Sequence, residues 1–280
     1  MGTIGLVSRY TQLDAETITL FRLGLGALFL LGFVALNGSI KLFVIRPPWQ
    51  LIVSGALLSG FIVFYILAMQ YTSMANAIMM IYLAPLAAAV FAHFFMNEHL
   101  NRYNYMLVAL ALLGFAMMLE FKLNFRGNNN LTLGLGFGLL SLLTYAGYIL
   151  ITRVLPKDTH VYSRTFYQLL IGALCMLPFA LGNSLPSSTS SWGWLVFAGL
   201  IPGFLAILFA VRALNALPSA LFGTLAYCEP VTVVIIGWVL FGETLTALQL
   251  VGCVVIIASG LAQAHLFTRK GKPELAAALP

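Results

Sequence analysis

Charge is scarce in this chain: Asp, Glu, Lys and Arg make up only 8% of its 280 residues, against about a quarter in an ordinary soluble domain. Hydrophobic residues make up 61%. A chain so poor in charge cannot clothe one water-soluble core, so the bilayer is its expected solvent. Cysteine is nearly missing as well. Cys175, Cys228 and Cys253 lie inside apolar runs at no metal-ligand spacing and read as buried, inert thiols. Catalytic signatures are lacking: around His93, Glu98 and His99 there is neither His-Glu-x-x-His nor His-x-x-Glu-His, and no Ser-centred elbow, phosphate loop or dinucleotide fingerprint occurs. No cofactor, no metal and no enzymatic role are therefore expected. The net charge of +6 is spread between apolar runs and not gathered into a patch, which argues against nucleic acid as a partner. No positive n-region or cleavage site follows Met1, so no signal peptide is expected.

What the chain has is a repeated stretch. Residues 68–100 and 213–245 align without a gap at an offset of 145, matching at Ala68/Ala213, Ala75/Ala220, Tyr82/Tyr227, Pro85/Pro230, Glu98/Glu243 and Leu100/Leu245. Both copies place a helix-end glutamate thirteen positions after a mid-helix proline. A second match, at offset 146, pairs Thr19, Leu23, Gly26, Ala27, Leu28, Leu31 and Phe33 with Thr165, Leu169, Gly172, Ala173, Leu174, Leu177 and Phe179. Repetition on this scale sets the architecture before any single residue is interpreted.

Nine apolar segments have the length of a membrane span, near 17–37, 51–70, 74–96, 103–121, 133–152, 164–182, 192–211, 218–241 and 246–267. Arg9 and Asp14 match Arg153 and Asp158 at offset 144, so the stub ahead of Arg9 pairs with the end of segment 133–152. The expectation is a first helix lacking its first half. The halves are then a first repeat over 1–121, a loop over 122–132, a second repeat over 133–267 and a basic cytoplasmic tail over 268–280. Counting the stub, each half has five helices; an odd number makes the second half enter from the opposite face, an all-α integral membrane fold of two inverted five-helix repeats. With the 38–50 loop in the cytoplasm, that side collects Lys41, Arg46, Arg102, Arg153, Lys157, Arg164, Arg212, Arg269, Lys270 and Lys272, and the other keeps Arg9, Lys122 and Arg126. Ten against three places both termini in the cytoplasm, with a bacterial inner membrane as the expected location.

This order of features resembles the EamA domain, present twice, of the drug/metabolite transporter superfamily. The residues carrying the resemblance are Arg22 opening the second helix, Ala75 through Pro85 with Glu98, and Glu229-Pro230 with Gly242-Glu243 in the second copy. The resemblance implies a ten-helix design, a central cavity between the halves and alternating-access movement of a small metabolite.

Several residues are candidates for contact with that solute. Glu229 lies near the centre of segment 218–241, where a charged side chain costs on the order of 2.5–3.5 kcal/mol and must face protein or a wet cavity. It reads as a counter-ion for a substrate amine or as a coupling-proton site, and equally as an anchor for the backbone freed by Pro230. Ser141, Tyr145, Tyr148 and Thr152 share one face of a helix, a cavity wall or an internally bonded stripe. Asn76 and Met80 share a face with Ala84, the repeat partner of Glu229, and Tyr65 joins them as a further cavity candidate. Tyr82 and Tyr227 point away from that face and read as packing. Pro85 and Pro230 are expected to kink their helices, with a structural or gating role. Glu98 and Glu243 sit at helix ends, where an interfacial position is expected. Arg22 lies about one turn inside its helix and is expected to snorkel to the surface; its repeat partner is the uncharged Gln168. Gly199-x-x-x-Gly203 marks a close helix contact.

The reading is export of an amino acid or amine-like solute through a midplane site. Its partners are the bilayer, the small solute and, for coupling, a proton, in a monomer or homodimer. Energy-harvesting sequence is lacking, so transport is facilitated, exchanged or ion-coupled. Nucleotide-sugar exchange, or an embedded enzyme acting on a lipid-linked substrate, are the alternatives.

Overall fold

The computed structural model describes residues 7, 10–38, 41, 47–71, 77, 80–95, 102–118, 120–121, 131–155, 159–183, 185–186, 188–217, 219–226, 228–229, 231–232, 235, 239 and 246–276. Among these there is no strand. The helices are α1 (Ala15–Leu36), α2 (Trp49–Tyr71), α3 (Ala84–Phe95), α4 (Arg102–Met118), α5 (Leu131–Arg153), α6 (Val161–Ala180), α7 (Thr189–Ala198), a π-helical turn (Gly199–Leu205), α8 (Ala206–Ala216), α9 (Ser219–Ala226) and α10 (Ala247–Ala276). Among the described residues, four stretches are long and apolar enough to cross a membrane: Glu16–Leu36, Trp49–Ala68, Thr132–Arg153 and Thr189–Ala216. This is an all-α integral membrane protein.

Local chemistry sets the helix ends. α1 starts after extended Asp14, with Glu16 in its first turn against the positive end of the helix dipole. It stops at Asn37, whose Nδ2 donates to the Phe33 carbonyl at 2.8 Å, and Gly38 turns the chain away at φ +64°. His160 opens α6 by accepting the Tyr162 N–H on Nδ1 at 3.2 Å. At Thr246 a reciprocal box opens α10: its hydroxyl accepts the Gln249 N–H at 3.3 Å, and its own N–H donates to Gln249 Oε1 at 3.0 Å.

Two compact units are present, and each draws on both halves of the sequence: Met1–Ile81 with Arg126–Ala216, and Tyr82–Phe125 with Leu217–Pro280. The first unit holds α1, α2, α5, α6, α7, the π turn and α8. Within it, α1 packs on α6, its repeat equivalent. The Phe33 ring lies 5.9 Å from the Tyr162 ring, and a Cβ at Gly172 would lie 2.9 Å from Leu23. The late part of one helix thus meets the early part of the other, so the equivalents run antiparallel. The second unit holds α3, α4, α9 and α10, and repeats the pattern with α4 on α10. A Cβ at Gly114 would lie 2.9 Å from the Gly252 carbonyl, while Glu120 Oε1 accepts the Thr246 hydroxyl at 2.6 Å. The two halves of the sequence therefore contribute equivalent helices of opposite direction inside each unit, as an inverted repeat requires.

Two helix crossings in the first unit share one backbone contact. Where α1 crosses the π turn, a Cβ at Gly203 would run into the Arg22 carbonyl, and one at Gly26 would lie 3.1 Å from the Gly203 backbone. Where α6 crosses α2, a Cβ at Gly55 would lie 3.1 Å from the Gln168 carbonyl, and one at Gly172 would lie 3.4 Å from the Gly55 carbonyl. Small residues let the backbones touch. The expected contact at Gly199 and Gly203 is there: a Cβ at Gly199 would lie 2.5 Å from Leu25 Cβ.

Arg22 does not snorkel. It is 3% exposed, and its Nε and Nη2 donate to the Pro202 carbonyl at 3.3 and 3.1 Å. The cause is the helical register. The chain winds i→i−5 through the π turn (Ala206 N–H to the Ile201 carbonyl), and returning to i→i−4 leaves the Pro202 carbonyl short of an axial donor. A buried guanidinium supplies what the helix omits. The three cysteines, expected to be buried, are half-buried and free. At the N-terminus, Val7 packs with Ile18 and Ala198, and the Tyr10 ring stacks on Trp194 at 4.8 Å; the remainder of the stub ahead of Tyr10 lies outside the described residues.

Candidate functional site

An aromatic platform forms where α5 lies along α2. These two helices run antiparallel over their length, with Leu57 against Gly147, Phe61 against Tyr145 and Phe64 against Phe137. Phe61 is buried, with its ring 4.7 Å from Tyr145 and 6.3 Å from Tyr148; those two rings lie 6.4 Å apart, tilted by 20°. Ser141 is buried beside them and donates its hydroxyl to the Phe61 carbonyl at 2.9 Å. One turn earlier, Gly138 has no Cβ, and the Met80 thioether fills that space, its Cε 3.2 Å from where a Cβ would stand. Tyr65 follows Phe61 on α2 and is half-buried, as are Tyr145 and Met80.

Behind the platform lies a polar cluster closed off from solvent. Gln168 is 0% exposed; its Nε2 donates to Ser54 Oγ and Thr152 Oγ1, both at 3.0 Å, and its Oε1 accepts the Tyr148 hydroxyl at 3.4 Å. Ser54 Oγ–H in turn donates to the Leu51 carbonyl at 2.9 Å. Ser141, Tyr148 and Thr152 thus have partners on α2 or α6, and half-buried Tyr145 packs its ring against Phe61 and Tyr148.

The other sequence candidates fall elsewhere. Glu229 is half-buried at a helical position beyond α9. Tyr82 packs its ring 4.9 Å from Phe115, and Pro85 sits in the first turn of α3, which opens directly after a turn at Leu83. A proline is accommodated there because the N–H it lacks has no helical partner in any case. Asn76, Glu98, Tyr227, Pro230 and Glu243 lie outside the described residues. Among the described residues, no group of three His, Cys, Asp or Glu side chains is placed to hold a metal ion. Sequence reasoning missed Phe61, Ser54 and the bonding of Gln168. A phenylalanine in an apolar run carries no signal, but a glutamine at the position where the other half has Arg22 does.

Aromatic faces edged by hydroxyls and a thioether bind small organic solutes by stacking and dispersion, and attract a cation to the ring face. Nothing in the cluster is arranged as nucleophile and base. Similar proteins agree with a carrier. The chain is 28% identical over 263 residues to an uncharacterized transporter of Archaeoglobus fulgidus, covering 93% of this chain and 91% of that one. It is 26% identical over 260 residues to the pseudopaline exporter CntI of Pseudomonas aeruginosa (92% and 88%). It is 27% identical over 282 residues to the threonine/homoserine exporter RhtA of Escherichia coli (95% and 87%). A solved crystal structure at 21% identity shares the fold, with a TM-score of 0.82 over 96% of this chain and 94% of that one. The EamA-like transporter family matches residues 1–120 and 132–262, so two family domains account for nearly the whole sequence, and the chain belongs to that family.

Proposed function

We propose that this protein exports a small zwitterionic or cationic metabolite of the amino-acid or amine class across the bacterial cytoplasmic membrane, by alternating access between its two inverted halves. The antiparallel packing of repeat-equivalent helices, α1 on α6 and α4 on α10, carries the reading, because doubled and inverted helices can exchange roles when a site opens first to one face and then to the other. The named exporters among the relatives support the direction and the class of solute. Tyr145, Tyr65 and Met80 offer the solute aromatic and thioether surface, with Asn76 as a further contact. Ser141 and Tyr148 hold that surface in place. Glu229, the one acidic residue in the middle of an apolar segment, serves as counter-ion to the substrate amine or as the coupling-proton site. Both termini lie in the cytoplasm, by the excess of Lys and Arg in the loops on that side.

Reconstituted protein offered a panel of amino acids, amines and nucleotide sugars, with and without a proton gradient, tests the reading. Uptake of an amino acid or amine that responds to the gradient is expected, and Glu229→Gln should abolish that response. Movement of nucleotide sugars alone would refute the solute class. Cysteines placed at positions 98 and 243 should label from opposite membrane faces, and labelling from one face would end the inverted reading.

A further inference from the structure

The buried polar cluster behind the platform serves no purpose in packing alone. A carboxamide and three hydroxyls inside a membrane helix bundle are costly to bury, and leucine or phenylalanine would fill the same space without hydrogen bonds to satisfy. The arrangement is directional. Gln168 spends both amide protons on Ser54 and Thr152, which leaves its oxygen as the acceptor for the Tyr148 hydroxyl. Tyr148 lies against Phe61 and Tyr145. The amide therefore fixes one ring of a three-ring set from the side that a solute cannot reach.

We infer that Gln168 is a positioning residue for solute binding: through the Tyr148 hydroxyl it fixes the plane of the Tyr145–Tyr148–Phe61 platform, and so sets affinity without touching the solute. This rests on the transport reading above. It also explains why one repeat carries an amide where the other carries Arg22. A guanidinium has no acceptor and could not receive the Tyr148 proton.

Transport kinetics of Gln168→Leu, Tyr148→Phe and the double variant in proteoliposomes test it, beside the ultraviolet resonance Raman tyrosine doublet, with the Tyr148 contribution isolated by subtracting the Tyr148→Phe spectrum. Gln168→Leu should raise KM about three- to tenfold, the range of one hydrogen bond, with the maximal rate within about twofold of wild type. Tyr148→Phe should do the same, and the double variant should be no worse than the worse single. The Tyr148 Raman contribution should lose its donor signature in Gln168→Leu. Additive effects on KM, or an unchanged KM with a lowered yield of folded protein, would overturn the inference. If wild type moves no member of the panel, the transport reading fails and the positioning claim falls with it; with transport intact, a Tyr148 donor signature that persists in Gln168→Leu overturns the positioning claim alone.

Discussion

Where α1 crosses the π turn, a guanidinium meets a backbone carbonyl; where α6 crosses α2, a carboxamide meets two side-chain hydroxyls. The backbone geometry is otherwise shared. In each crossing a glycine rests on the carbonyl of the residue that sends out the polar side chain, Gly203 on Arg22 and Gly55 on Gln168. In each, that side chain reaches the residue just before the glycine, Pro202 or Ser54. The difference follows from helical register. α2 is continuous α-helix through Ser54, so none of its carbonyls there lacks an axial partner, and Gln168 bonds side-chain hydroxyls instead. The π turn breaks that pattern at Pro202 and exposes a carbonyl. Duplication preserved the contact and let its chemistry diverge.

The largest effects should come from the shared glycines. Gly203→Ala puts a methyl onto the Arg22 carbonyl, and Gly26 lines the same approach from the other helix, so neither backbone can yield alone. A loss of about 3 kcal/mol is expected, read as a collapse of melting temperature and folded yield in detergent. Gly55→Ala meets Ile171 Cβ at 2.8 Å and the Gln168 carbonyl at 3.1 Å. It should cost about 2 kcal/mol, because part of its obstacle is side chain. Equal losses would show that the two crossings are equally rigid and that the π turn adds no constraint.

The polar side chains should separate next. Arg22→Leu leaves the Pro202 carbonyl buried, with the helix unable to bond it, and should cost about 2–3 kcal/mol. Gln168→Leu strips partners from hydroxyls that have local alternatives, since Ser54 already donates to Leu51. A loss nearer 1 kcal/mol is expected. Thermal melts of the two variants compare them directly, and a Gln168 loss exceeding that of Arg22 would reverse the ranking.

Much of this frame was legible in the sequence. The apolar runs placed α1, α2, α4, α5 and α6 within a few residues, because nothing else in a bilayer can satisfy a backbone, whereas α10 runs nine residues past its expected end. Gly26 and Gly172 matched at offset 146, and both lie at a crossing. Their contacts Gly203 and Gly55 stand 148 apart, outside the offsets of 144 to 146 at which the halves match. Burial of Arg22 was hidden for a similar reason: a lone cation near a helix end reads as snorkelling unless an acceptor is known, and that acceptor arises from a register change for which Pro202 is the sole sequence cue. The face shared by Ser141, Tyr145, Tyr148 and Thr152 followed from spacing. What that face meets depends on Phe61 and Gln168, which belong to other helices, and spacing within one helix says nothing of those.

The smallest effect separates the two acceptors. Pro202→Ala leaves the carbonyl that Arg22 uses, because the acceptor is backbone and no side-chain substitution deletes it. Ser54→Ala removes the hydroxyl that accepts from Gln168. In a double-mutant cycle on melting stability, Arg22→Leu with Pro202→Ala should therefore show a coupling within about 0.5 kcal/mol of zero, as for independent sites. Gln168→Leu with Ser54→Ala should show a coupling of about 1 kcal/mol, the net worth of one hydrogen bond. Strong coupling in the first cycle would mean that restoring an N–H at position 202 returns the turn to α-helix and gives the carbonyl back its axial donor. Proline, and not the packing of α1, would then be what holds the π register and creates the demand for a buried arginine.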